Sequence, residues 1–131
     1  TQSEHVSAFW DVMPTVADII NIDAPDGLDG ISFLPTLQNK DQAEHDFLYW
    51  EFHEKGGRQA VRKGDWKLVK YEVIKDPDRP FELYNLSEDP GESNDLAAEN
   101  PEKVEELKEI MQNARTESDV FTFMSDAYLA K

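Results

Sequence analysis

One stretch of the sequence, residues 51–58, combines side chains suited to polar chemistry with a backbone that permits close approach. It reads E-F-H-E-K-G-G-R, so that His53 and Arg58 stand on either side of a Gly-Gly pair. An imidazole can donate a hydrogen bond near neutral pH, and glycine adopts conformations that other residues avoid. We treat His53 and Arg58 as candidate ligand-binding residues. The structural alternatives are a His that ends a strand on the surface and an Arg that is a solvated cross-strand partner.

Other groups of polar or aromatic residues carry weaker signals. Glu88, Asp89, Glu92 and Asp95 lie within eight residues, but acids around a Pro-Gly turn are commonly only a turn, and the spacing is not that of an EF-hand. The three histidines are too scattered for a helix-borne zinc pair. The three tryptophans are more typical of a core than of a sugar-stacking platform. We expect no metal ion or cofactor to be bound by these residues.

Composition limits the classes of function. The 131 residues suffice for one domain with a modest core. Because the net charge is −15, a nucleic-acid surface is not expected. The absence of cysteine excludes disulfides and thiolate nucleophiles. No apolar run approaches the roughly 18 residues of a membrane span.

The candidate residues must be positioned by strands. Arg58 to Lys63 and Trp66 to Val73 are rich in strand formers, and the two-residue Gly64-Asp65 loop between them suits the type II′ turn of a hairpin. Phe47 to His53 predicts a strand before this hairpin, and Phe81 to Leu86 predicts one after it. Neither face of these strands is cleanly polar, so we expect something to cover each side.

Two helices are predicted. Asp11 is a candidate N-cap for a short amphipathic helix that ends near Asn21 and places Val12, Val16, Ile19 and Ile20 on one face. Asn100-Pro101 begins a second helix that continues to Arg115, with apolar residues at three- and four-residue steps. We expect the apolar stripe of the second helix to bury one sheet face. The other face lacks an obvious cover, which favours a chain that is part of something larger.

Three short motifs resemble the C-terminal end of the type I, arylsulfatase-like sulfatases of the alkaline phosphatase superfamily. They are G-D-W-K-L at residues 64–68, E-L-Y-N-L at 82–86 and E-D-P-G-E at 88–92. A pair that joins the two domains of that family, D-x-x-P-T followed by D-G-x-S-x-x-P, also stands in the expected order. Its residues here are Asp11, Pro14 and Thr15, then Asp29, Gly30, Ser32 and Pro35. The resemblance covers Val6 to about Arg115.

The resemblance implies an α+β fold, in which a four-stranded antiparallel sheet is packed by a C-terminal helix and preceded by a short N-terminal helix. It also implies that the catalytic α/β domain, with its calcium and its formylglycine, lies outside these residues. The nearest approach to the C/S-x-P/A-x-R nucleophile motif starts at Ser125 and carries Leu129 where Arg is required. We expect the chain alone to hydrolyse no sulfate ester.

The resemblance further implies a division of labour along the chain. Residues 1–40 would connect to the catalytic domain, 41–118 would form the C-terminal subdomain and 119–131 would be a tail. His53 and Arg58 would bind substrate at the pocket rim, with a sulfated carbohydrate or aryl sulfate as the substrate. The expected partner is the catalytic domain of the same polypeptide, without nucleic acid or membrane. Bacterial relatives of this type are typically periplasmic or secreted, and animal ones lysosomal.

A second interpretation remains open. The chain could be a free-standing, non-catalytic α+β module that binds a carbohydrate or a protein through its aromatic sheet face. In either case we expect the exposed sheet face to promote self-association.

Overall fold

The computed structural model describes residues 2–121, so the Ser125 motif and most of the predicted tail lie outside the described residues. The chain divides into two compact units, with the boundary between Asp46 and Phe47. Within residues 2–121, no helix is both long enough and apolar enough to cross a bilayer.

The first unit is built from short helical pieces. A 3-10 turn, Phe9–Asp11, leads into α1, Val12–Ile19, and a single turn, α2, follows at Leu34–Leu37. Asp11 precedes α1 as predicted, but its side chain makes no capping hydrogen bond to that helix. Its carboxylate instead accepts the Ala8 N–H, at 2.7 Å, because Asp11 itself has helical backbone angles and belongs to the preceding turn.

The apolar face of α1 points outward in this chain. Pro14, Thr15 and Ala17 are the buried side of the helix. The apolar side chains exposed on and around the helix are Phe9, Val12, Met13, Val16, Ile19, Ile20 and Ile22. The predicted amphipathic pattern is therefore present, but its apolar stripe does not serve the core of this unit.

The second unit contains the predicted four-stranded antiparallel sheet. Its strands are β1 Leu48–Phe52, β2 Arg58–Lys63, β3 Trp66–Tyr71 and β4 Glu82–Asn85, which lie side by side in sequence order. Lys63 pairs with Trp66 across the Gly64-Asp65 loop, and Gly64 has a φ of 58°, the sign that a type II′ turn requires at its first position.

Helix α3, Pro101–Ala114, packs on one face of this sheet. Its residues Leu107 and Met111 are buried, and they complete a core with three strand residues, Val61, Leu68 and Leu83. Proline occupies the start of the helix as predicted, although the Asn100 side chain makes no capping bond.

The second face of the sheet is only partly exposed. Leu48, Val69 and Tyr84 are buried there, whereas Phe52 is 45% exposed. The area of this face open to another molecule is thus smaller than the sequence pattern predicts.

Candidate functional site

Several polar side chains converge on the carboxylate of Glu51. Its Oε1 accepts the Tyr49 hydroxyl at 2.5 Å and lies 2.9 Å from Nε of Arg115. Its Oε2 lies 2.9 Å from Nε2 of His53. The Tyr49 oxygen in turn accepts the Gln59 side-chain amide at 2.7 Å. We refer to these five residues as the Glu51 cluster.

Strand geometry brings the cluster together. Side chains alternate between faces along β1, so Tyr49 and Glu51 both point to the side that α3 covers. Gln59 is the register partner of Glu51 on β2 and shares that face. Arg115 follows the last residue of α3. The cluster therefore joins two strands to the end of the helix.

His53 lies just beyond β1, where the chain turns toward β2. Its side chain is 24% exposed, and its ring lies 5.5 Å from the Phe121 ring, between centroids. The turn that follows has positive φ at Lys55, Gly56 and Gly57. The carbonyls of both glycines accept backbone N–H groups from residues 73–74, at 2.9 and 3.2 Å. The Gly-Gly connection is thus held in a defined conformation.

Arg58 lies on the opposite side of the sheet from the Glu51 cluster. It pairs with Phe52 and with Tyr71, whose positions alternate with those of Glu51 and Lys70. Its guanidinium carbon lies 5.3 Å from the centre of the Tyr71 ring. The structure therefore does not place the two predicted site residues on one face. This cation–π contact is an ordinary cross-strand arrangement for an exposed Arg.

The charge state of the cluster follows from its surroundings. Burial raises the pKa of the Tyr49 phenol, and the hydrogen bond to the Glu51 carboxylate raises it further. Tyr49 consequently remains a protonated donor throughout the physiological range. A carboxylate that is fixed by a phenol and a guanidinium can in turn hold an imidazole by one nitrogen.

A second polar group, in the first unit, is centred on the fully buried Asp11. One oxygen of its carboxylate accepts the Ile31 N–H at 2.9 Å and lies 2.8 Å from Nε2 of His45. Burial by itself would raise the pKa of Asp11. Hydrogen bonds from the N–H groups of Ala8 and Ile31, together with His45, outweigh burial and hold the pKa below its ordinary value. Sequence reasoning missed the role of His45, since nothing local links it to a residue 34 positions earlier.

The paired motifs D-x-x-P-T and D-G-x-S-x-x-P, which contribute to the family resemblance, are bonded to each other. Asp11 holds Ile31, while the Thr15 hydroxyl accepts the Phe33 N–H at 2.9 Å. Gly30 fits between them because a Cβ at that position would stand 2.3 Å from the Trp10 carbonyl oxygen. The residues of D-x-x-P-T and D-G-x-S thus act as a clamp, which we call the Asp11 clamp.

Three of the four carboxylates of the acidic turn at residues 88–95 are bonded to other protein groups, and that of Glu92 lies 2.5 Å from Nζ of Lys67 on β3. Asp89 accepts hydrogen bonds from the backbone N–H and the hydroxyl of Ser93 and from the Asn94 N–H. Asp95 accepts the N–H groups of Leu83 and Ala97. Within residues 2–121, no three His, Asp or Glu side chains converge in the manner of metal ligands.

The buried cation Lys70 closes a loop. Its ammonium donates to the carbonyls of Pro77 and Arg79 and lies 4.9 Å from the centre of the Phe81 ring. The adjoining cavity measures about 140 Å³. Ligand pockets typically measure about 300–1,000 Å³, so the volume of this cavity lies below the usual range for a ligand site.

Comparison with known proteins gives consistent matches over most of the chain. The family described as N-sulphoglucosamine sulphohydrolase, C-terminal, matches residues 1–118. An N-acetylgalactosamine-6-O-sulfatase of Bacteroides thetaiotaomicron is 27% identical over an alignment of 118 positions, which covers 81% of this chain and 23% of the relative. Arylsulfatase K of Mus musculus is 28% identical over an alignment of 142 positions, which covers 98% of this chain and 25% of the relative.

A solved structure agrees with these sequence matches. A 2-O GAG sulfatase superposes with a TM-score of 0.67 at 26% identity, covering 79% of this chain and 23% of that protein. The chain therefore spans about a quarter of the length of the curated relatives named above.

Proposed function

Because the chain belongs to the N-sulphoglucosamine sulphohydrolase C-terminal family, we propose that it is the C-terminal part of a sulfatase and completes the fold of that enzyme. The parent hydrolyses sulfuric esters, and its catalytic domain supplies the formylglycine nucleophile and the calcium ion. We assign the formylglycine to the catalytic domain because the 131 residues contain no C/S-x-P/A-x-R motif.

The exposed apolar side chains around α1 carry this proposal. Residues such as Met13, Ile19 and Ile20 are each more than half exposed in this chain, although the helix is strongly patterned. Contiguous exposed apolar surface marks an interaction site. We assign it to the catalytic domain of the same polypeptide, since the relatives are about four times as long as this chain.

The substrate that we propose is a sulfated carbohydrate, with an amino sugar as the first choice. Its support is the name of the Bacteroides relative, an N-acetylgalactosamine-6-O-sulfatase. In this proposal the imidazolium form of His53 reaches the rim of the substrate pocket and donates a hydrogen bond from Nδ1 to a sulfate or hydroxyl oxygen, because its Nε2 faces Glu51. Arg58, on the other face of the sheet, takes a second and more peripheral contact.

The test uses the full-length parent enzyme and a panel of sulfated monosaccharides, with sulfate release as the measurement. We expect turnover by the parent and none, above a buffer blank, by the 131-residue chain. Turnover by the isolated chain would overturn the assignment of catalysis to the other domain. A parent that released sulfate from no substrate of the panel would overturn the proposed activity.

A further inference from the structure

We propose that Glu51 is a positioning residue for His53, and that it sets the direction in which the imidazole meets the substrate. This inference rests on the proposed function of His53 at the pocket rim. It concerns a residue that the family resemblance does not single out and that, in this proposal, acts only through His53.

The geometry carries the first step of the argument. Glu51 lies within β1, one residue from the end of the strand, so its backbone is fixed by pairing with Gln59. The 2.9 Å contact between its Oε2 and Nε2 of His53 ties one edge of the ring to that fixed point. A ring held at the far nitrogen no longer rotates freely about its bond to Cβ.

The second step is that the carboxylate is itself immobilised. The Tyr49 hydroxyl and the Arg115 guanidinium approach Oε1, from β1 and from the end of α3 respectively. The oxygen that they occupy is not the one that faces His53. The sheet and the end of α3 therefore fix the Glu51 carboxylate, and the carboxylate in turn fixes the orientation of the imidazole.

The third step concerns a second neighbour of the imidazole. The Phe121 ring lies 5.5 Å from the His53 ring, between centroids, at a tilt of 53°, so the imidazole contacts an aromatic side chain as well as the Glu51 carboxylate. Packing and hydrogen bonding together are what a group needs if it is to meet a substrate oxygen at a fixed angle.

A purely structural role for Glu51 is the competing explanation. The side chains of Glu51 and Arg115 are each 19% exposed, and Glu51 could serve only to neutralise this cation. The two roles differ when Arg115 is also replaced. If Glu51 only neutralises Arg115, the effect of Glu51→Gln on KM should disappear once Arg115 is also replaced. If Glu51 positions His53, the effect should persist.

The experiment measures KM and kcat of the full-length enzyme on a sulfated monosaccharide that it hydrolyses. The variants are Glu51→Gln, His53→Ala, the double variant of these two and Glu51→Gln with Arg115→Gln. We expect Glu51→Gln to raise KM about three- to tenfold, the scale of one hydrogen bond. The double variant should have the same KM as His53→Ala alone, because Glu51 acts only through His53.

Two controls keep a loss of folding apart from a loss of positioning. Glu105→Gln makes the same charge change at a carboxylate that is 71% exposed and paired with Lys108, and it should leave KM unchanged. Thermal melting of each variant should show that the folded state persists at the assay temperature.

Each remaining outcome decides against a defined part of the proposal. A raised KM for His53→Ala with normal KM for Glu51→Gln overturns the inference and leaves the proposed function standing. Recovery of normal KM in Glu51→Gln with Arg115→Gln overturns it in favour of charge neutralisation. Normal kinetics for His53→Ala overturn both the rim role of His53 and the inference, while sulfate release by the wild type still tests the activity separately.

Discussion

At the scale of single residues, the motif glycine Gly30 shows how a resemblance translates into a steric requirement. Its α-carbon lies so close to the preceding helical turn that a methyl group would overlap the Trp10 carbonyl. A backbone carbonyl cannot rotate away as a flexible side chain can. The position therefore excludes all residues with a side chain unless the Asp11 clamp opens.

Replacement of Gly30 by Ala should destabilise the first unit. We expect a loss of about 1–3 kcal/mol in the free energy of unfolding, the usual cost of overpacking. Urea denaturation measures this loss. Gly91→Ala is the control, since a Cβ there meets its nearest neighbour at an ordinary 3.6 Å. Equal stability of the two variants would contradict the steric argument.

Asp11 makes the stability of the first unit dependent on pH. Its pKa in the folded protein lies below the ordinary value of about 3.9. A group whose folded pKa is depressed stabilises the fold above the unfolded pKa, and this contribution is lost as the pH falls through the folded value. The loss should therefore appear below about pH 4.

Asp11→Asn should remove this part of the pH dependence. At pH 7 we expect the variant to be less stable by about 1.5–3 kcal/mol, the range for a hydrogen bond to a charged group. At pH 3 the difference from the wild type should shrink, because the Asp11 carboxylate of the unfolded chain is then largely protonated and part of its contribution to stability is lost. Urea denaturation at both values checks this prediction, which an unchanged difference would refute.

At the scale of elements, helix α3 and the strands follow their local sequence closely. The Gly64-Asp65 loop defines the ends of β2 and β3 that it joins, and the three- and four-residue apolar steps define α3. The far end of β3 was predicted at Val73 but lies at Tyr71. Glu72 adopts a φ of 54°, and the next two N–H groups bond to the Gly-Gly turn instead of a neighbouring strand.

The candidate site could be predicted only in part, for a reason that is also physical. The i, i+2 spacing of Glu51 and His53 indicates a shared face of a strand. The approach of Arg115 depends on how α3 crosses the sheet, which no local pattern specifies. For the same reason the sequence pointed to His53 and Arg58 together, whereas the register separates them by a sheet face.

The contact between α3 and the sheet should dominate the stability of the second unit. Leu107 is fully buried in the core, so Leu107→Ala should cost about 2–5 kcal/mol in urea denaturation. Leu37→Ala makes the same chemical change at a side chain that is 63% exposed, and it should cost less than about 0.5 kcal/mol. Similar losses in both variants would mean that α3 does not seal the core.

At the scale of the whole molecule, exposed apolar surface is concentrated on the first unit. The set around α1 is larger than the exposed aromatic set near the sheet, which consists mainly of Phe52 on β1 and Phe47 just before that strand. Self-association of the 131-residue chain therefore remains a prediction, and the α1 face is its first candidate surface.

Binding of an apolar dye should locate this surface. We expect the wild-type chain to enhance the fluorescence of the dye, and Ile19→Ser with Ile20→Ser to reduce the signal strongly. Phe52→Ser should reduce it less. Sedimentation of the same proteins reports association. A larger effect of Phe52→Ser would mean that the sheet face, and not the α1 face, is the main surface for dye binding and self-association.

The position of α3 as the last described helix has a consequence for biosynthesis. While the ribosome translates the roughly 30 residues between β4 and the end of α3, the helix-facing side of the sheet has no cover from α3. At about 5–20 residues per second this interval lasts a few seconds. Val61, Leu68 and Leu83 are accessible to chaperones during that time, and a stop codon before residue 101 would leave the nascent strands permanently prone to aggregation.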